Sequence, residues 1–189
     1  MESILTNILK HIQLSESEQV YVASLVKQQT FEKKEFLQKA GEPCRNIFFV
    51  IHGVLRAYFL SKEGKESTIM FATKDWWITD MDSFIHEKIA VVNIQVISSA
   101  TVVSLSKQQL DGLYREIPAF NKFFRILMQN AYCREQRRSF QTLSLPAKDR
   151  YDQFISNYPE VAQSVPQKFI ASYLGITPEF LSHLRSQKA

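Results

Sequence analysis

PQKFIASYLGITPEFLSHLRSQKA, residues 166–189, is the most specific segment of this 189-residue chain. A helix is predicted from Gln167, with apolar side chains four residues apart on one face and the small Ala171 where a second helix can approach closely. Gly175 follows four residues after Ala171. A tight turn at that point needs a positive φ angle, which glycine adopts at little steric cost.

A second helix is predicted directly after this turn. Thr177 can cap its first turn, and Pro178 suits the first helical position because it has no N–H to leave unpaired. Leu181 and Leu184 would face inward against the preceding helix. The whole pattern is typical of a helix-turn-helix, whose second helix lies in the major groove of DNA. An ordinary helical hairpin is the alternative interpretation.

The outward side chains of the second helix are candidates for reading base edges. Glu179 can accept a hydrogen bond from the amino group of cytosine, while His183 and Arg185 can donate to guanine or to phosphate. Taken singly, each of these residues is also explained as solvated surface. The residues expected to contact DNA are Gln167, Lys168, Thr177, Pro178, Glu179, Ser182, His183, Arg185, Ser186 and Lys188.

The positive charge of the chain is concentrated in the same part of the sequence. The formal net charge is +4. Up to Glu116, 13 Lys and Arg residues stand against 14 Asp and Glu residues, whereas from Ile117 onward the counts are 10 and 5. A basic segment joined to a nearly neutral one is the charge distribution expected of a nucleic-acid-binding part beside a part with another role.

Composition excludes several other classes of protein. A hydrophobic content of 45% with 22% charged residues is ordinary for a globular chain. No apolar run approaches the roughly 20 residues of a membrane span, and the N-terminus lacks the features of a secretory signal, so we expect a cytoplasmic protein without membrane contact. Two cysteines are too few for a disulfide scaffold or a four-cysteine cluster. The histidines show no metal-ligand spacing, so neither a metal nor another cofactor is expected.

The middle of the chain, from Gln28 to Leu105, has the pattern of a β domain. Short runs rich in β-branched and aromatic residues alternate with turn-forming residues, which predicts an antiparallel barrel or jelly roll. The runs are 47–51, 54–60, 67–71, 91–97 and 101–105, and the turns are placed at Ala40–Pro43, His52–Gly53 and Lys62–Lys65. Two short helices are predicted ahead of this region, the second beginning at Ser15, which forms a capping-box pattern with Glu18.

Helical patterning returns after the β region. Lys107–Glu116 is predicted to be a short helix, and a longer one follows from Pro118, which suits a first helical turn. The longer helix begins with an apolar stripe that includes Phe120, Phe123 and Phe124. Two interpretations of this stripe remain open at this point. It packs either on the barrel of its own chain or against the same helix of a second copy.

Taken in order, these segments resemble the Crp/Fnr family of bacterial transcription regulators along nearly the whole chain. The residues that carry the resemblance are Ala40-Gly41-Glu42, Ile51-His52-Gly53-Val54 and IASYLGITPEFLSHLR at 170–185. The resemblance implies an α+β fold. Its parts would be an antiparallel double-stranded β-helix (jelly-roll) sensor domain of the cyclic-nucleotide-binding type at 1–116, a dimerisation helix at 117–143 and an all-α helix-turn-helix domain at 144–189. It also implies a homodimer through the helix from Pro118 that binds double-stranded DNA at two-fold symmetric operators.

The residues that hold a cyclic nucleotide in members of this family are not matched here. Those members use a Gly-Glu pair and an Arg followed by Ser or Thr, whereas this chain has Ile78-Thr79 and Ala90-Val91 near the corresponding places. No arginine lies between Arg56 and Arg115, and a phosphate buried without a guanidinium would face a large desolvation cost. We therefore expect an effector other than cyclic AMP, or none.

Six residues of the barrel are candidates for binding an unidentified small-molecule effector. The adjacent Trp76 and Trp77 can line a pocket, although the favoured alternative places one in the barrel core and the other on the long helix. Arg56 and Tyr58 alternate on a predicted strand and share a face, which is either a pocket or an outer surface. The candidate ligand-binding residues are Arg56, Tyr58, Trp76, Trp77, Thr79 and Asp80.

We expect a regulator rather than an enzyme. The predicted strands contain neither the histidine-rich metal set nor the acid–base pair that a barrel enzyme of the cupin kind requires. The main alternative is a small-ligand-binding protein that keeps this fold without productive DNA binding. That alternative stays open because the recognition helix offers a single glutamate and a single arginine.

Overall fold

The computed structural model describes residues 2–186, which form nine helices and six strands. The helices are α1 (Glu2–Leu9), α2 (Glu16–Leu25), α3 (Met81–Ile85), α4 (Lys107–Glu116), α5 (Ala119–Ser144), α6 (Ala147–Asn157), α7 (Pro159–Ser164), α8 (Gln167–Leu174) and α9 (Pro178–Ser186). The strands are β1 (Lys27–Phe31), β2 (Phe36–Gln38), β3 (Asn46–Leu60), β4 (Glu66–Ala72), β5 (Trp77–Ile78) and β6 (Asn93–Ser106). The predicted α+β class is confirmed.

The two longest strands, β3 and β6, form the centre of an entirely antiparallel sheet. The strand order is β1-β6-β3-β4, with β2 also paired to β6 and β5 to β3. β3 and β6 pair from Asn46 opposite Ser106 to Tyr58 opposite Asn93. The interior of the sheet is a buried apolar cluster that includes Val50, Leu55 and Ile94. Burial of that cluster is the main stabilising contribution to the barrel.

The prediction of a turn at His52–Gly53 is wrong. β3 continues through both residues, although its register against β6 shifts there. Gly53 has φ +93°, and a Cβ atom at this position would lie 2.5 Å from the carbonyl oxygen of Ser99. The glycine therefore marks an irregularity inside one long strand, where the partner backbone approaches too closely for a side chain. The runs at 91–97 and 101–105 likewise belong mainly to a single strand, β6.

The helices at both ends of the barrel follow the sequence closely. α2 has the expected capping box, in which Ser15 and Glu18 each accept a hydrogen bond from the other's backbone N–H. At the start of α5, Phe120, Phe123 and Phe124 are buried in a cluster shared with α1, α4 and the barrel. Of the two interpretations of that apolar stripe, packing on the chain's own barrel is therefore the one observed for these three residues.

The C-terminal helices pack around a second cluster that the barrel completes. Tyr151 and Phe154 of α6 lie with Leu181 of α9 in this cluster, and Phe71 of β4 contributes to it from the barrel side. The Phe71 ring centroid lies 6.2 Å from that of Phe154. Helices α6 to α9 are therefore held against the sheet. The division of the chain at residues 116 and 143 stays a prediction.

Candidate nucleic-acid interface and barrel cavity

α8 and α9 form a helix-turn-helix with the local geometry that the sequence predicts. Gly175 ends α8 with φ +68°, and its N–H donates back to the carbonyl oxygens of Ala171 and Ser172. Ala171 and Leu181 are fully buried where the two helices meet. The Oγ1 atom of Thr177 accepts a hydrogen bond from the N–H of Phe180 at 3.2 Å, which caps the first turn of α9. This packing fixes the direction of α9 relative to α8.

The described residues that are predicted to contact DNA lie on α8, on α9 and at Thr177 between these helices. Every described member of the set is exposed: Gln167, Lys168, Thr177, Pro178, Glu179, Ser182, His183, Arg185 and Ser186. Lys188, the remaining member, lies outside the described residues. Phe180, which is not among the predicted contacts, is 44% exposed on α9. Its position, one residue before the buried Leu181, was the available signal, and an exposed aromatic side chain there can contact a thymine methyl group.

The other side of α8 is bound to β4 of the barrel. The Oγ atom of Ser172 accepts a hydrogen bond from the N–H of Thr68 at 2.9 Å and donates to the carbonyl oxygen of Glu66 at 3.0 Å. Arg138 of α5 adds a bridge, because its guanidinium donates to the carbonyl oxygens of Ile69 and Tyr173 at 2.6 and 3.3 Å. α8 is thus positioned by the barrel and the long helix together.

Arg56 is part of this contact and is not among the residues that line the barrel cavity. Its side chain has 0% exposure, and its Nε atom donates to Oγ1 of Thr68 at 2.8 Å. Its Nη1 atom donates to Glu66 at 2.5 Å, and the Phe169 ring of α8 covers the guanidinium at 3.8 Å. Burial lowers the pKa of Arg56, and the Glu66 carboxylate opposes that shift.

Tyr58 shares the face of Arg56, as the alternation on the strand predicts. The guanidinium carbon of Arg56 lies 4.3 Å from the Tyr58 ring centroid, and burial raises the pKa of the Tyr58 hydroxyl. Both residues are buried, and the Phe169 ring of α8 covers this face at Arg56. The sequence gives the alternation, but it does not show which distant helix covers the face.

The remaining four ligand candidates, Trp76, Trp77, Thr79 and Asp80, do line one cavity of about 600 Å³. It lies between the barrel, α1 and α5, and its walls include Leu127, Met128 and Arg134 of α5. A cavity of this volume is within the usual range for small-molecule sites. The basic residues of α5 at its wall were not anticipated as ligand contacts.

Both tryptophans also have packing roles, in agreement with the favoured alternative. Trp77 packs on Phe123 of α5 with ring centroids 5.9 Å apart, and its Nε1 atom donates to Asn7 at 3.2 Å. Trp76 packs against the interior cluster of the barrel. The guanidinium carbon of Arg134 also lies 4.5 Å from its ring centroid. The rings are therefore held in place before any ligand arrives.

Asp80 and Thr79 already use their polar atoms within the chain. The Asp80 carboxylate accepts hydrogen bonds from the hydroxyl of Ser83 at 3.0 Å and from the N–H groups of Val91 and Val92 at 2.9 and 3.2 Å. The Thr79 hydroxyl donates to the carbonyl oxygen of Asn46 at 2.8 Å. Asp80 thus supplies an internal anion to backbone N–H donors, which leaves these donors unavailable to a ligand phosphate.

Residues 2–186 contain no cluster of three His, Cys, Asp or Glu side chains able to hold a metal ion. Within the same residues, no helix combines the length and the apolar character needed to cross a bilayer.

Comparison with known proteins agrees with this geometry. Residues 28–116 match the family model of the cyclic nucleotide-binding domain. The chain is 25% identical over 173 residues to Electron transport regulator A of Shewanella oneidensis, covering 84% of this chain and 68% of that protein. It is 24% identical over 170 residues to the Anaerobic regulatory protein of Pasteurella multocida, covering 81% of this chain and 59% of that protein.

A solved structure shows the same fold over most of the chain. It is that of a transcriptional regulator of the Crp/Fnr family from Eubacterium rectale, with a TM-score of 0.73 and 17% identity, covering 92% of this chain and 83% of that one. The predicted resemblance to Crp/Fnr regulators is confirmed by these matches, and the named relatives are regulators rather than enzymes.

Proposed function

We propose that this chain, which resembles the Crp/Fnr regulators in sequence and in fold, is a homodimeric transcription regulator that binds two-fold symmetric DNA through α9. The observation that carries the proposal is the exposed polar surface of α9, which is held against α8 by a buried cluster that includes Ala171 and Leu181. A helix presented in this way fits the major groove, where Glu179 and Arg185 would contact base edges and Lys168 a phosphate.

Charge supports DNA as the partner. The segment from Ile117 onward has 10 Lys and Arg residues against 5 Asp and Glu residues. Phosphate neutralisation by such a segment releases counterions, so binding would weaken steeply as salt rises. A cytoplasmic location and the absence of catalysis are part of the same proposal.

The second half of α5 supports the dimer. Tyr132, Phe140 and Leu143 are 67%, 66% and 88% exposed, although the start of the same helix is buried on the barrel. Apolar side chains at these spacings form a surface that a second copy of the helix would cover. A two-fold arrangement would place the two copies of α9 about one DNA turn, roughly 34 Å, apart.

The barrel would act as the sensor for an effector other than cyclic AMP. The cavity of about 600 Å³ has α5 as one wall, and α5 also holds α8 through Arg138. A ligand that changes the packing of the barrel on α5 would therefore change the angle between the two DNA-binding ends. An inter-domain geometry that stays the same with and without effector would count against this switching mechanism.

The experiment that tests the proposal is fluorescence-anisotropy binding to DNA from the protein's own promoter region at several salt concentrations. Arg185→Ala removes one base or phosphate contact, and Arg45→Ala removes the same charge from an exposed position on the barrel side. We expect Arg185→Ala to weaken specific binding by roughly 5- to 150-fold, the range of one good base contact. Arg45→Ala should bind as the parent does.

Equal effects of the two variants would contradict the proposal. Weak DNA binding that does not depend on the DNA sequence and is unchanged by effector would also contradict it. The second result would favour a small-ligand-binding protein that keeps the fold. The observation in favour of that candidate is the cavity lined by Trp76, Trp77 and Thr79. A thermal-shift search for ligands that raise the unfolding temperature tests it directly.

A further inference from the structure

A second cleft lies where α5 meets α6 and α8, and it shares Trp76, Asn130, Arg134 and Arg138 with the lining of the barrel cavity. It has a volume of about 340 Å³, and four arginines line it: Arg134, Arg137, Arg138 and Arg150. Trp76 of the barrel and Tyr173 of α8 form part of its walls. Among residues 2–186, none of those that line this cleft is Asp or Glu. We call it the arginine cleft.

Two of the four guanidinium groups are held in place by neutral partners. Arg150 donates to the carbonyl oxygens of Leu145 and Leu174 at 2.8 and 3.1 Å, and Arg138 donates to backbone carbonyls of β4 and α8. Carbonyl oxygens orient a guanidinium without neutralising it. Arg138 also pairs with Glu135 at 3.6 Å, but that carboxylate is half exposed and screened by water.

The cleft also contains donors that lack an acceptor. The Nε atoms of Arg134 and Arg150 are buried and have no hydrogen-bond partner within the described chain. Neither Arg134 nor Arg137 forms an ion pair with a residue in the range 2–186. A buried N–H of a charged group without an acceptor is unfavourable, so this arrangement fits a site that is completed by an anion.

We propose that the arginine cleft binds a small phosphate-bearing metabolite. Guanidinium groups match phosphate oxygens two at a time, which a lysine cluster would not do. The volume suits a compact ligand rather than a polymer, and the two arginines whose Nε atoms lack an acceptor line this cleft and do not belong to α9. The other source of the same chemistry, the DNA backbone, is separated from a free metabolite in the experiment below.

The position of the arginine cleft gives its ligand a regulatory consequence. Its walls come from the barrel, α5, α6 and α8. A bound anion would therefore connect the proposed sensor part with the proposed DNA-binding part. This consequence rests on the proposed function. The binding itself does not, because it is measured without DNA.

The test is isothermal titration of the full chain with inorganic pyrophosphate at moderate salt. Arg134→Gln combined with Arg137→Gln removes two charges from the cleft without removing the carbonyl contacts of Arg138 and Arg150. The matched control combines Arg45→Gln with Arg115→Gln, two exposed arginines outside the cleft. Circular-dichroism melts establish that both double variants fold.

We expect the cleft variant to bind pyrophosphate at least about tenfold more weakly than the parent, and the control to bind it as the parent does. Failure of the parent to bind at millimolar concentration, or equal losses in both double variants, would overturn the proposal. Displacement of pyrophosphate by DNA of unrelated sequence would also overturn it, since it would assign the cleft to backbone phosphate. Loss of DNA binding by Arg185→Ala alone, with pyrophosphate binding intact, would separate the two sites.

Discussion

The guanidinium carbon of Arg56 lies 3.8 Å from the centroid of the Phe169 ring. Arg56 belongs to β3 of the barrel, and Phe169 belongs to the first helix of the helix-turn-helix. The face of the Phe169 ring therefore covers the fully buried guanidinium of Arg56 and joins α8 to the barrel. The strength of this contact contributes directly to how firmly α8 is held against the barrel.

Phe169→Ala should loosen this contact. We expect a loss of about 2 kcal/mol in the free energy of unfolding, because the ring is partly buried and its cation–π contact disappears. Urea denaturation measures the loss. Phe59→Ala is the control, since Phe59 is 41% exposed on the same strand as Arg56. Equal losses in the two variants would show that the Phe169 contact contributes no specific stability.

Gly53→Ala and Gly41→Ala separate backbone strain from steric overlap. Both glycines have positive φ, +93° and +91°, but only Gly53 has a neighbouring backbone atom within 4 Å of a new Cβ atom. We expect a loss of about 1–2 kcal/mol for Gly41→Ala and about 3 kcal/mol or more for Gly53→Ala. Thermal unfolding of both variants checks the order. A larger loss at Gly41 would mean that the close approach of β3 and β6 is absent.

Asp80→Asn tests the role of the internal anion. The amide offers one oxygen where the carboxylate offers two, so an N–H of Val91 or Val92 loses a charged acceptor. We expect about 2–3 kcal/mol less stability in urea denaturation. Asp82→Asn, at an exposed position in the adjoining helix α3, should leave stability nearly unchanged. If Asp80→Asn is equally silent, Asp80 does not organise the segment between α3 and β6.

Leu143→Glu should weaken the proposed dimer. Leu143 is 88% exposed in the single chain, so a charge there has little effect on the fold but disrupts an apolar helix-to-helix contact. We expect a shift from dimer to monomer in light scattering coupled to size-exclusion chromatography. Leu60→Glu, which places the same charge on the barrel, should remain dimeric. A dimeric Leu143→Glu variant would place the interface elsewhere.

Cys44 should resist thiol reagents while the chain is folded. It is 3% exposed, and burial raises the pKa of its thiol, so at a given pH it has less thiolate than an ordinary cysteine. In the Cys133→Ser variant, where Cys44 is the remaining thiol, alkylation by iodoacetamide should be at least roughly tenfold slower in buffer than in urea. The alkylation rate of Cys44 should begin to rise at a higher pH than that of an exposed cysteine, because its thiol has the higher pKa. Similar rates in buffer and urea would contradict this burial.

The helix-turn-helix was predictable because each of its rules is local. Ala171, Gly175 and Thr177 act on neighbours within a few residues, and each acts as its residue type suggests. The burial of Arg56 was not predictable in the same way. Alternation on a strand shows that Arg56 and Tyr58 share a face, but the helix that covers that face comes about a hundred residues later.

The same limit explains the other differences. Gly53 signals an unusual backbone, and a glycine between two β-rich runs is compatible with either a turn or an irregularity within one strand. Only the pairing with β6 decides between them. The arginine cleft also depends on distant elements, because Arg134 and Arg150 meet only when α6 folds back along α5.

The contacts of Ser172 and Arg138 with β4 have a consequence for the barrel itself. β4 is the outermost strand of the order β1-β6-β3-β4. Among residues 2–186, no further strand pairs with the backbone groups on its outer edge. Ser172 accepts a hydrogen bond from the N–H of Thr68 and donates one to the carbonyl oxygen of Glu66. Arg138 donates a hydrogen bond to the carbonyl oxygen of Ile69. A fragment cut before α5 would present these groups as a template for edge-to-edge pairing with another chain. We therefore expect the C-terminal helices to protect the barrel from aggregation.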